Sequence, residues 1–104
     1  MTREFLEGFA KDQIGKEVDF SDFSYELQKI GFEDLYDSYD ENTLRDVLKS
    51  GICYYSFVEN IGINEENEDL DGLKVRMEFK VLTWSGEDEV INADIKITEC
   101  AIEN

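Results

Sequence analysis

Residues 73–83 alternate apolar and polar side chains almost without exception. Leu73, Val75, Met77, Phe79 and Val81 fall on one side, and Lys74, Arg76, Glu78 and Lys80 on the other. A period of two over this length is the pattern of a β-strand with one face on a core and one in water. The strand is the spine of any fold this chain can adopt, and the remaining segments are read for what covers its apolar side.

The first half of the chain supplies helices. Phe5, Leu6, Phe9, Ala10 and Ile14 recur at helical spacing after a capping Thr2, and Gly15 stops the run. Asp19 and Ser21 are caps for a second helix in which Phe23, Leu27 and Ile30 share a face before Gly31. Phe32, Leu35, Tyr36 and Tyr39 then suggest a short helix or helical turn. A regular helix is predicted over 41–50, with Leu44, Val47 and Leu48 inward, acid at its start, Arg45 and Lys49 later and Gly51 after it, all in agreement with the helix dipole.

From Ile52 the composition turns β-branched and aromatic, which predicts a strand over 52–58 that is apolar on both faces. An acidic loop over 60–72 leads into the spine strand. A turn at 85–88 leads to a last strand over 90–102, in which Ile91, Ala93, Ile95 and Ile97 share a face and Glu99 breaks the alternation at a bulge. Helices first and three consecutive strands after them predict an α+β fold. Three to four N-terminal helices pack on one face of a three-stranded antiparallel β-meander. The 104 residues make one domain, 1–104.

Composition narrows the function. Histidine is absent, which removes the usual near-neutral general base and a common zinc ligand, so no catalytic role, metal or cofactor is expected. Cys53 and Cys100 have no metal-type spacing and follow no signal-peptide pattern, so free thiols in a reducing cytoplasm are expected. With the spine strand between them, the two cysteines do not meet. No apolar run approaches the ~18 residues of a membrane span. Asn67, Asp69, Asp71, Gly72 and Glu78 match the spacing of a calcium-binding EF-hand loop, but position one is Asn and neither flank reads as a helix. The match is read as an acidic turn before a strand. Lys74, Arg76 and Lys80 are expected to pair across strands with Asp94 and neighbouring acids.

The dominant signal is charge. There are 26 acidic residues against 10 basic ones, a formal net charge of -16, in a chain whose 41% hydrophobic content marks it as globular rather than disordered. Spread over a domain ~25 Å long, that charge matches the linear density of duplex DNA, which carries one charge per ~1.7 Å. Asp34, Asp37 and Glu41 stand at helical spacing as a row of phosphate substitutes, extended by Glu33, Asp40 and the loop acids Glu65, Glu66, Glu68, Asp69 and Asp71. In size, acidity and lack of catalytic groups the chain resembles the small inhibitors encoded by phages and mobile elements, the anti-CRISPR and anti-restriction DNA mimics. The resemblance covers the whole chain through composition, and no residue role is carried over by it. It implies an inhibitor that binds a basic nucleic-acid-binding protein, such as a nuclease effector, in a bacterial or phage-infected cell, without binding nucleic acid or membrane itself. The alternative is an acidic adaptor or toxin-immunity-type protein that holds one basic partner through Tyr25, Tyr36, Tyr39, Tyr54, Tyr55 and Trp84.

Overall fold

The structure is a computed structural model, and it describes residues 3–58, 70, 72–85 and 92–103. The alternating segment is the central strand β3 (Lys74–Ser85), preceded by β1 (Glu17–Asp19) and β2 (Ile52–Ser56) and followed by β4 (Asn92–Glu103). Leu73, Val75, Met77 and Phe79 are at most 5% exposed, and Val81 packs half-buried at the margin of the core. The α+β class holds, but the sheet has four antiparallel strands in the order β1-β4-β3-β2 rather than three. The expected meander is β2–β3–β4. The added strand lies on β4, with Glu17 opposite Lys96, Val18 opposite Ile95 and Asp19 opposite Asp94. Three residues with a single apolar side chain carry no legible alternation, and Asp19 shows its other role, that of a helix cap.

Among the described residues four helices precede or interrupt the strands: α1 (Arg3–Gln13), α2 (Phe20–Lys29), α3 (Leu35–Ser38) and α4 (Glu41–Ser50). Side-chain carboxylates start three of them. Asp19 accepts from the Asp22 N–H at 3.1 Å, Asp34 from the Tyr36 N–H at 2.9 Å and Asp40 from the Thr43 N–H at 2.8 Å. Helix α4 ends at Gly51 with φ 73°, where a Cβ would stand 2.9 Å from the Phe79 carbonyl oxygen. Only glycine meets both demands. The Phe79 N–H donates to the Gly51 carbonyl at 2.9 Å, which ties the helix end to the sheet.

The inward face of α1 is Leu6, Ala10 and Gln13, not the expected set with Phe5 and Ile14, which are exposed. The helix ends at Gln13, and the chain then turns back onto β4: the Gly15 N–H donates to the Ile97 carbonyl at 2.7 Å and the Ile97 N–H to the Lys16 carbonyl at 2.9 Å. Ile14 therefore sits outside the last turn. The proposed Thr2 cap lies outside the described residues, as do most of the 60–72 loop, the 86–88 part of the turn, and Val90 and Ile91.

One face of the sheet is buried under the helices. Phe20 of α2 lies 5.9 Å from Phe79 and 6.0 Å from Tyr36 between ring centroids, and Phe23 meets Tyr55 edge-on at 6.1 Å. Strand β2 is apolar on both sides in sequence but buried on one, with Cys53 and Tyr55 inward and Ile52 and Tyr54 exposed. The expected bulge is present: Glu78 faces Glu99 but Phe79 faces Ile97, so Thr98 is the extra residue. The inward series Ala93, Ile95, Ile97 accordingly resumes at Cys100. A second irregularity surrounds Leu82, between the Val81–Ile95 and Thr83–Asp94 pairs. Asp94 therefore accepts from the Thr83 hydroxyl at 2.9 Å and does not pair with Lys74, Arg76 or Lys80. Arg76 instead pairs with Glu78 on its own strand at 3.1 Å. Cys53, Met77 and Cys100 lie side by side across β2, β3 and β4, both thiols free and separated by the central strand.

Candidate partner-binding surface

The connection from α2 to α4 carries the first acidic cluster, and the sheet edge fixes its path. Phe32 bridges to Phe57, the Glu33 N–H donates to the Ser56 carbonyl at 2.9 Å and the Val58 N–H to the Gly31 carbonyl at 2.9 Å. Glu33 is thus held against the edge of β2, and Asp34, Asp37, Asp40 and Glu41 follow it through α3 and into α4. The single-helix row expected of Asp34, Asp37 and Glu41 does not form, because α3 ends at Ser38 and Tyr39, with φ -118° and ψ 147°, takes the chain out of helical geometry.

Three of these five carboxylates also hold local structure. Glu33 accepts from the Ser56 N–H at 3.1 Å, and Asp34 and Asp40 cap α3 and α4. Asp37 and Glu41 are exposed. The Thr43 backbone N–H and side chain hold the Asp40 carboxyl below its ordinary range, so it stays charged in mild acid. Three ion pairs occur among the described residues, Arg3–Glu7, Lys29–Glu26 and Arg76–Glu78, and none neutralises this cluster. The second expected cluster, Glu65, Glu66, Glu68, Asp69 and Asp71, lies outside the described residues, and so do Asn67, Asp69 and Asp71 of the EF-hand-like spacing. Glu78, the last position of that spacing, stands within β3 between Ile52 and Glu99. Among the described residues no group of three or more His, Cys, Asp or Glu is placed to hold a metal ion.

The aromatic residues do not converge on one platform. Tyr55 is buried with its hydroxyl 2.8 Å from Ser24 Oγ, and Tyr36 and Tyr39 are half-buried. Tyr25 packs under the Lys29 ammonium at 5.0 Å. Tyr54 lies on the open face of the sheet, where its hydroxyl accepts from Arg76 Nε at 3.2 Å, and Trp84 is exposed opposite Ala93. That open face also carries Lys74, Lys80 and Lys96. Lys80 and Lys96 stand directly opposite one another, as do Glu78 and Glu99, arrangements that each cost about 0.2–1 kcal/mol. Four of the ten basic residues are gathered there, on the far side of the sheet from the helices.

Covalent chemistry finds little support in the buried groups. Burial pushes the Cys53 thiol up to about 12 and the Cys100 thiol up to about 11, and it raises the Tyr36 and Tyr55 phenols as well. All four stay protonated at neutral pH.

Two polar residues that sequence reasoning passed over organise the surface between β1 and the helices. Asn92 Nδ2 donates to both Asp19 oxygens, at 3.0 and 2.9 Å, and to Ser21 Oγ at 3.1 Å, while its Oδ1 accepts from the Ser21 N–H at 3.0 Å. Asp19 and Ser21 lie more than 70 positions away from it, beyond the reach of any local pattern. Gln13 is 92% buried, with Nε2 donating to the Phe9 carbonyl at 3.0 Å. It lines a groove of about 330 Å³ between α1 and α2, floored by Phe9, Val18 and Phe23. Its helical spacing from Leu6 and Ala10 was the only available signal.

No helix among the described residues is long and apolar enough to cross a membrane. No family model, curated protein or solved structure matches the chain.

Proposed function

We propose that the protein is a small acidic inhibitor that occupies the basic groove of a nucleic-acid-binding protein, a nuclease effector being the type case, and acts by charge rather than by catalysis. The observation that carries this reading is the stretch from Glu33 to Glu41. Five carboxylates follow one another there within nine residues, and among the described residues no lysine or arginine is paired to them, whereas four of the ten cations lie among acids on the open face of the sheet. The molecule is 46 Å in its longest dimension, so a net charge of -16 amounts to about one per 3 Å, close to the ~3.4 Å of a single nucleic-acid strand and sparser than the ~1.7 Å of a duplex. The longer axis replaces the ~25 Å used for the duplex comparison and favours a channel that holds one strand. Such an inhibitor works in the cytoplasm of a bacterium or a phage-infected cell.

Amide replacement tests the reading. Glu33, Asp34, Asp37, Asp40 and Glu41 are changed to Gln or Asn in one variant, and Glu65, Glu66, Glu68, Asp69 and Asp71 in another. Asparagine caps helices as well as aspartate, so the first variant is expected to fold. Pull-down from a bacterial lysate, with and without competing single-stranded DNA, should show capture that DNA displaces, that weakens steeply with salt and that at least one variant loses. Retention by both variants, with loss on Tyr54→Ala or Trp84→Ala, would replace this function with the aromatic interface.

A further inference from the structure

Helices α1 and α2 both rest on β4, and the groove between them has an apolar floor of Phe9, Val18 and Phe23. Phe9 and Val18 are half-buried, so the floor is open to a visitor. Phe5, one turn before Phe9 on the same side of α1, is 53% exposed and continues the apolar strip. Gln13 stands in the wall of the groove. It is 92% buried as a residue and its Nε2 donates to the Phe9 carbonyl, while among the described residues its Oε1 accepts no hydrogen bond, which leaves an acceptor beside the apolar floor for an incoming N–H. The rim carries Asp22, Lys16 and Glu26, whose carboxylate is already paired with the Lys29 ammonium at 2.9 Å, so among the described residues Asp22 is the carboxylate there outside an ion pair.

We infer that this groove receives a cationic amphipathic segment of the basic partner: an aliphatic or aromatic side chain enters between α1 and α2, an N–H reaches Gln13 Oε1, and a flanking lysine or arginine faces Asp22. Charge complementarity selects the occupant. A second copy of this chain, at net charge -16, is repelled where a basic segment is attracted. The inference rests on the inhibitor reading for the partner's sign of charge, but it assigns a different part of the surface, one that supplies shape where the acidic edge supplies only attraction.

Two synthetic peptides of equal charge separate the possibilities. One is an amphipathic helix of Leu and Lys about four turns long, and in the other serine replaces every leucine. Both are titrated into the isotope-labelled protein at moderate salt and followed by amide chemical shifts. The Leu/Lys peptide should bind at least about tenfold more tightly than its serine counterpart, with the largest shifts at Phe9, Gln13, Val18 and Phe23. Gln13→Met should weaken it about fivefold without lowering the melting temperature, a pairing that a purely structural glutamine would not produce. Equal binding of the two peptides, or shifts confined to residues 33–41, overturns the groove assignment and leaves the charge-based inhibitor standing. Absence of binding by either peptide even at low salt overturns both. Unaltered affinity in Gln13→Met, with shifts still centred on Phe9 and Phe23, removes the glutamine's role and with it the inference as stated.

Discussion

Replacing Asn92 with alanine should cost more stability than its half-exposed position suggests. Its amide is the junction between the start of β4, strand β1 and the first turn of α2: three donor contacts run to Asp19 and Ser21, and the carbonyl oxygen accepts from the Ser21 and Ala93 N–H groups and, at 3.3 Å, from the Tyr36 hydroxyl. A hydrogen bond to a charged group contributes about 1.5–3 kcal/mol and a neutral one about 1 kcal/mol. Water replaces part of this at a half-exposed site, and Asp19 keeps the Ser21 hydroxyl at 2.6 Å and the Asp22 N–H. A net loss of about 2–3 kcal/mol follows, a large part of the margin of a small domain, and it corresponds to a fall of roughly 10–20 °C in melting temperature. Asp19 supplies a second readout. Burial works to raise its pKa, but hydrogen bonds from Ser21, Asn92 and the Asp22 N–H outweigh it, and the carboxyl titrates below its ordinary 3.8. A carboxyl with a depressed folded pKa adds stability that is complete above its unfolded pKa and is lost as pH falls through the folded value. Without Asn92 that pKa moves up and the acid-side slope flattens. Thermal melts give the first quantity and carbon-detected NMR titration of Asp19 the second. A variant within about 0.5 kcal/mol of the parent, with the Asp19 titration unmoved, would show that this junction is incidental.

Phe79→Ala removes a ring that is 5% exposed and packed on Phe20 and should cost about 3–5 kcal/mol in chemical denaturation, whereas Arg76→Ala, on the open face, should cost under about 1 kcal/mol. The reverse order would contradict the register of the sheet. Added monovalent salt should raise the melting temperature, because 26 carboxylates repel one another; a fall with salt would mean that attraction dominates. Calcium should stabilise no more than magnesium at equal ionic strength, and micromolar heat on calorimetric titration, abolished by Asp69→Asn, would restore an EF-hand-like site over Asn67 to Glu78.

The elements that were legible in the sequence are those whose side-chain period is long enough to rise above chance. Strand β3 and helix α4 are of this kind, and α4 occupies 41–50 as its apolar period, its charge order and Gly51 dictated. Strand β1 was hidden because three residues have no period, and the outward turn of Ile14 because the helix ends one residue earlier than its apolar pattern. In the acidic stretch the residues were visible but their geometry was not: Asp34 and Asp40 read as phosphate substitutes and proved also to be helix caps. Composition reports how much charge a chain carries, whereas the hydrogen bonds that orient it, such as the one from Ser56 to Glu33, depend on a strand 23 positions away. Gln13 and Asn92 were missed for the same reason, since a polar residue's partner is set by tertiary structure.

The row of Cys53, Met77 and Cys100 places one protonated, buried thiol on each flank of the central strand. In the folded molecule neither is reactive, so alkylation under native conditions counts only molecules that have opened. The two sulfurs then act as separate clocks: Cys53 becomes available when β2 leaves β3, and Cys100 when β4 does. Peptide mapping of the first-labelled cysteine would give the order in which the sheet unzips, without any residue being changed.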